Sequence, residues 1–233
     1  MAWNIPQMWE GGECWIIGGG PSLSQQFEIP QDVIDKVMSG EESIDAYSPF
    51  LSAIHGKHVI GVNAAFLLGS WIDIIFFGDG NFYKSNFRKL NKVNKLKIAC
   101  NMSSKKIAKM QGVKFVGRDH QHSTGITKRK DFISWNRNSG AAAINLAYHL
   151  GVKKIYLLGF DMQVGPTQME HWHRHYSTGK NGPRDPRKLP FHRHLLGFPR
   201  IVKDAKKLGL EIINVSPDSA ITGFKKVSLK EVI

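Results

Sequence analysis

The sequence predicts an α/β fold, a single Rossmann-like, mostly parallel sheet with helices on both faces. Three observations predict it. Short apolar runs rich in β-branched and aromatic residues recur along the chain, most of them closing on Gly, Asn or Asp. Helical patterns alternate with these runs, the order that builds parallel sheets. One helical pattern, 141–150, is apolar on most sides, as a helix buried against a sheet must be. The 233 residues suit one domain, 1–233, with a core of its own.

The elements follow in order. Residues 13–17 read as a buried strand that runs into Gly18, Gly19 and Gly20. Residues 58–62 and 73–77 read as central parallel strands. Over 81–92, Phe82, Phe87 and Leu90 are spaced for the inner face of a helix whose outer face is basic. Shorter strands at 97–100 and 113–116 flank a helical stretch at 103–110, and regularity fails over 118–135. The apolar helix opens at Ser139 and stops at Gly151. Strand 154–158 closes on Gly159, Phe160 and Asp161. A polar, His- and Pro-rich stretch at about 162–191 is expected to form a lid. A helix over 198–208, with Pro199 in its first turn, and a strand over 211–215 complete the pattern.

Composition narrows the function. Hydrophobic residues at 42% and charged residues at 22% exclude a disordered chain and a disulfide-stapled scaffold. The two cysteines, Cys14 and Cys100, lie in apolar runs and read as buried small hydrophobes of a reducing compartment. With no apolar run of spanning length and no signal segment, a cytoplasmic protein is expected. The formal net charge is +13, and fifteen basic but only two acidic residues fall between Lys84 and Arg137. Such a segment attracts DNA or another polyanion, or an anionic acceptor, or it is a solvated face.

Open parallel sheets bind ligands beyond the carboxyl ends of their strands, and the candidate residues fall there. Gly18, Gly19, Gly20 and Ser22 form a turn whose backbone can approach a phosphate, although its spacing is that of neither a dinucleotide fingerprint nor a P-loop. Asn63 either binds ribose or phosphate or caps the helix after it. Ser139 and Gly140 can present hydroxyl and N–H groups to a phosphate, cap their helix, or both. Asp79 and Asp161 are candidates to hold Mg²⁺ or a ligand hydroxyl, with Asp161 the better placed. His171, His173 and His175 would share one side of an extended strand and are metal-ligand candidates. His192 and His194 are both candidates for a general base, and the residues themselves do not choose between them.

The order of Gly-Gly-Gly-Pro-Ser-Leu (18–23), Val62-Asn63, Asn138-Ser139-Gly140, Leu150 to Asp161 and Ser-Pro-Asp-Ser (216–219) resembles two related families. These are the bacterial sialyltransferases that use CMP-activated sugar, and the group similar to the archaeal 6-hydroxymethyldihydropterin pyrophosphokinase. Asp161-Met162-Gln163 followed by His171-Trp172-His173 looks closest to phage-encoded members. The resemblance implies the sialyltransferase-like variant of the glycosyltransferase A fold and transfer from a CMP- or UDP-type donor to an acceptor hydroxyl. It implies nucleotide contacts for Gly18, Gly20, Asn63, Ser139 and Gly140, and it selects His192 as the base. Asp161 is carried as a second catalytic candidate, and His173, His175 and Tyr176, helped by Arg174 or Lys180, would neutralise the leaving phosphate. Two other readings stay open. One is a pyrophosphokinase with Mg²⁺-ATP at Asp79 or Asp161; the other is a phage nucleic-acid-binding protein without catalysis. A homo-oligomer is open in each case.

Overall fold

The computed structural model describes residues 2–100, 112–119, 123–165, 169–173 and 189–233. Eight strands form one sheet in the order β10-β9-β8-β1-β2-β3-β4-β5, and every neighbouring pair is parallel. They are β1 (Glu13–Ile17), β2 (Val59–Val62), β3 (Ile74–Phe77), β4 (Leu96–Ala99), β5 (Val113–Phe115), β8 (Lys154–Leu158), β9 (Glu211–Asn214) and β10 (Lys225–Lys226). Two-residue strands β6 (Gly117–Arg118) and β7 (Phe132–Ile133) pair separately. This is the α/β architecture the sequence predicts. From β1 the chain winds outward to β5 and then returns to build β8, β9 and β10 on the other side. The strand order therefore reverses at β1, and a crevice opens there beyond the strand ends.

Period-two alternation splits the core into two layers. Cys14, Ile16, Ile60, Val62, Ile74 and Phe76 point to one face of the sheet, where α4 (Ser139–His149) and α6 (Phe198–Leu208) cover them. Trp15, Ile17 and Val59 point to the other face, packed against Leu23 of α1 (Ser22–Gln26), residues of α2 (Gln31–Ser39) and the 3₁₀ segment Ile44–Ile54. Helix α4 lies on β1, β2 and β3, and its run Ala141, Ala142, Ala143 is fully buried, small side chains allowing a close approach to the sheet. Cys14 and Cys100 are buried free thiols, and burial pushes Cys100 up to about 12.

Several expectations change. In α3 (Gly80–Lys92) the buried face is Phe82, Tyr83, Asn86 and Leu90, while Phe87 is 43% exposed. Residues 82, 86 and 90 follow the i, i+4 rule, and the polar Asn86 on that face disguised it. Residues Asn63–Leu68 form a 3₁₀ helix, and neither α2 nor Ile44–Ile54 was foreseen. The stretch at 103–110 lies outside the described residues, as do 166–168 and 174–188 of the expected lid. No helix among the described residues is long and apolar enough to cross a membrane.

The irregular stretch before α4 is organised from inside that helix. Asn145 Oδ1 accepts the N–H groups of Thr127 (3.1 Å) and Ser134 (2.9 Å), and its amide nitrogen donates to the Thr127 carbonyl (3.1 Å). One turn on, His149 is 3% exposed, with Nε2 3.0 Å from the Phe132 carbonyl oxygen. Burial holds its imidazole down at about 4, against the usual 6.5. The unfolded chain therefore takes up a proton that the folded chain refuses. Stability present above about pH 6.5 is lost as pH falls toward about pH 4, by about 3 kcal/mol at most. Urea unfolding at neutral pH and near pH 4.5 should show a steeper loss for the wild type than for His149→Gln; equal slopes would exclude this source.

Candidate functional site

A cavity of about 960 Å³ occupies the crevice at β1. Its floor is built from strand ends: Gly18, Gly19 and Gly20 after β1, Asn63 after β2, Asp79 after β3, and Gly159 to Gln163 after β8. Its walls come from α3, from the entry to α4 (Trp135, Arg137, Asn138, Ser139 and Gly140), from Glu170, His171 and His173, and from α5 (Phe191–Leu195) with Pro190 before it. The glycine turn and the start of α4, distant in sequence, thus share one space.

The glycine turn is built differently from a phosphate cradle. Gly18 N–H donates to the Leu158 carbonyl and Gly20 N–H to the Gly159 carbonyl, both at 2.8 Å, while Ser22 N–H donates to Asp161 Oδ2 at 3.1 Å. Three amides expected to face a ligand are therefore engaged by the β8 loop. A Cβ on Gly20 would lie 1.9 Å from Asp161 Oδ2, and one on Gly18 would lie 2.7 Å from the Gly159 oxygen. These glycines are required by the close approach of two loops. Asp161, only 6% exposed, puts the protein's own carboxylate where α1 begins. Burial raises its pKa, opposed by hydrogen bonds from Ser22 and Ser216. Ser22 itself is buried, its hydroxyl 2.7 Å from that of Ser216, and it does not line the cavity.

Carbonyls of the turn face another segment. Trp172, fully buried, donates its indole N–H to Gly18 O (2.7 Å) and its backbone N–H to Gly19 O (3.1 Å), while Tyr47 O–H donates to the Trp172 carbonyl (3.2 Å). His171 and His173 stack beside the turn, centroids 5.2 Å apart. His175 lies outside the described residues, as do Tyr176, Arg174 and Lys180; among the described residues no group of three His, Cys, Asp or Glu side chains is arranged to hold a metal.

Asn63 sits in the left-handed region (φ 52) and does not cap the 3₁₀ turn that follows it. Its Oδ1 is buried without a hydrogen-bond partner. Asp79 lines the cavity and also caps α3, accepting the Asn81 N–H at 2.9 Å. Helix α4 is capped by Asn138, which accepts the Ala141 N–H at 2.8 Å, so Ser139 and Gly140 are relieved of that role. Their own N–H groups, the first two of the helix, have no hydrogen-bond partner among the described residues.

Arg137 was missed in the sequence. It lines the cavity, exposed, two residues before α4, with φ 67, immediately after Asn136 with φ 52. Two successive non-glycine residues in this region are strained by about 1–2 kcal/mol each. Asn136 is clamped by an exchange with Gly125 (2.6 and 2.9 Å) and a bond to the Ser134 carbonyl (3.0 Å), which holds the turn that presents Arg137. The only advance signal was Asn, the residue type that best tolerates this conformation.

The two candidate histidines are placed differently. His192 is exposed and outside the lining, whereas Pro190, Phe191, Arg193 and His194 line the cavity. At 3.6 residues per turn, position 192 falls on the side of α5 opposite the others. Burial, then the neighbouring charges of Arg193 and His192, lower the pKa of His194, which lines the cavity wall. The basic segment is mixed in its exposure among the described residues. Lys84, Arg88 and Lys89 are exposed on α3, but Lys97 is buried and Arg118 donates to the carbonyls of Cys100 (2.9 Å) and Gly78 (3.0 Å).

The fold is one that solved glycosyltransferases share. The Maf glycosyltransferase from Magnetospirillum magneticum AMB-1 superposes on all of this chain with a TM-score of 0.57 at 12% identity. This chain spans 36% of that protein's length. The monofunctional α-2,3-sialyltransferase Cst-I from Campylobacter jejuni covers 93% of this chain and 80% of its own, with TM-score 0.50 and 17% identity. A variant of the sialyltransferase Cst-II in complex with CMP gives 0.50 at 14%, over 93% of this chain and 86% of its own. No protein-family model and no curated protein sequence matches.

Proposed function

We propose that this chain is a nucleotide-dependent transferase of glycosyltransferase type, moving a glycosyl group from a nucleotide-activated donor to an acceptor hydroxyl. The observation that carries the reading is the open start of α4. The unpartnered Ser139 and Gly140 N–H groups and Arg137 border the cavity that Gly19 also borders, at the reversal point of a parallel sheet. Helix dipole, free donors and a guanidinium together favour a phosphate there. The glycosyltransferase fold and the CMP complex of a similar structure support a pyrimidine nucleotide as that ligand.

In this reading the donor's phosphate rests on Ser139, Gly140 and Arg137. His194, rather than His192, takes the proton of the acceptor O–H as its oxygen bonds to the anomeric carbon. The bond from that carbon to the phosphate oxygen breaks, and the nucleotide leaves with the bonding pair. Asp161 acts through the glycine turn it pins, as a positioning residue.

Thermal-shift and titration measurements with CMP, UDP, GDP and ATP test the proposal, because a ligand that binds the native state raises its melting point. CMP or UDP is expected to bind, and Arg137→Ala to weaken that binding by roughly 10- to 100-fold, the weight of one charge-assisted contact. Failure of all four nucleotides to bind would end the proposal.

A further inference from the structure

The end of the cavity farthest from β8 has a chemistry of its own. Trp135 is partly exposed and lines it. The indole lies against Gly78, where a Cβ would fall 2.1 Å from Cζ3 and 2.2 Å from Cη2. The Arg118 guanidinium covers the ring 3.7 Å from its centroid. That guanidinium is held in turn by the Cys100 and Gly78 carbonyls, at the ends of β4 and β3. The ring is thus backed and pinned, it packs also against the core, and its exposed part lines the cavity.

Acceptors are prominent among the polar groups beside it. Asn86 is 3% exposed and donates its amide nitrogen to the Phe82 carbonyl at 2.8 Å. A flipped amide would set two oxygens against each other, so Oδ1 is the end left over, buried without a partner, like Asn63 Oδ1. Each carries the penalty of an unmade hydrogen bond, and both residues line the cavity, where a ligand O–H or N–H could supply the missing donor. Asp79 adds a carboxylate. No lysine or arginine lines the cavity from β2, β3 or α3; Arg137 and Arg193 come from elsewhere.

From this juxtaposition we infer that Trp135, Asn63, Asn86 and Asp79 seat a neutral sugar ring, its C–H face on the indole and its hydroxyl or acetamido hydrogens on the three acceptors. A flat aromatic wall suits the apolar face of a pyranose; the Arg118 guanidinium is taken up by the ring and two carbonyls, so the Asp79 carboxylate and the acceptor oxygens disfavour a sugar carboxylate by charge repulsion and unrelieved desolvation. The inference rests on the glycosyl-transfer reading for its purpose but not for its test. The sugar can belong to the donor or to the acceptor.

Saturation-transfer NMR with methyl β-glucoside, methyl β-N-acetylglucosaminide and N-acetylneuraminate as free probes addresses the seat directly. The two neutral glycosides should receive saturation at their ring C–H protons. Trp135→Ala should weaken them at least about fivefold while Trp135→Phe retains most of the affinity, since a smaller ring still stacks. N-acetylneuraminate should bind more weakly than either. In parallel, UDP and UDP-N-acetylglucosamine are titrated. If the seat serves the donor, Trp135→Ala removes the extra affinity that the sugar confers and leaves UDP unchanged; if it serves the acceptor, only the free glycosides respond. The inference is overturned if Trp135→Ala weakens UDP itself, if N-acetylneuraminate binds best, or if no neutral glycoside is saturated. Glycosides that bind through Trp135 while no nucleotide binds would instead sink the donor reading and keep the seat.

Discussion

Replacing Gly20 with alanine is expected to destabilise the fold by about 3–5 kcal/mol, lowering the melting temperature by roughly 10 °C. The added methyl would stand 1.9 Å from Asp161 Oδ2 and 2.7 Å from the Gly159 carbonyl oxygen, and neither can retreat easily. Asp161 is 6% exposed and its Oδ2 holds the Ser22 N–H, so moving it strands a buried carboxylate and an orphaned helix donor together. The Gly159 oxygen accepts the Gly20 N–H, so the backbone cannot separate there without opening the β1–β8 junction. Because the clash is with a side chain, shortening that side chain should help. Gly20→Ala combined with Asp161→Ala should be less destabilised than the sum of the single changes by about 1 kcal/mol or more, read by urea unfolding. Simple additivity would mean that Gly20 is required for some reason other than Asp161.

The second large effect concerns α5. His194→Ala is expected to lower kcat by about 10²–10⁴ while nucleotide affinity stays nearly constant, and His192→Ala should leave turnover within about threefold. The asymmetry follows from helix phase. His194 lines the cavity with its pKa lowered by burial, whereas His192 is exposed on the opposite side. Release of nucleotide from whichever donor binds, in single-turnover mode, separates the two. A dead His192→Ala beside an active His194→Ala would reverse the assignment, and loss of nucleotide binding by His194→Ala would mean that the ring touches the donor.

Much of the fold was legible because parallel strands buried on both faces read as unbroken apolar runs. β1, β2, β3 and β8 are of this kind, and each ends on a residue that allows a turn or a cap. β6 and β7 escaped because two residues carry no period, and the 3₁₀ segment Ile44–Ile54 because Pro49 interrupts its helical pattern. For the site, the strand-end rule located Gly18, Gly20, Asn63, Asp79 and Asp161 before any coordinates, since it depends only on topology. It could not tell what each would bond. That Gly20 makes room for Asp161 is a contact across 141 positions of sequence. Trp135 and Arg137 lie in the stretch without periodicity, where nothing local marks a side chain as facing a cavity. The different placements of His192 and His194 come from the phase of a five-residue helix, which a family-derived spacing does not supply.

The rims of the sheet bear on how copies of this protein behave in a crowded solution. The outermost strand on one side is two exposed lysines, Lys225 and Lys226; on the other it is three residues with Lys114 outward. A neighbouring chain seeking to extend the ladder would find few backbone groups in register and an ammonium charge at each edge. Fibre-like growth by strand addition is thereby discouraged at both borders, a safeguard for a chain whose interior strands are as adhesive as Ile-Ile-Phe-Phe.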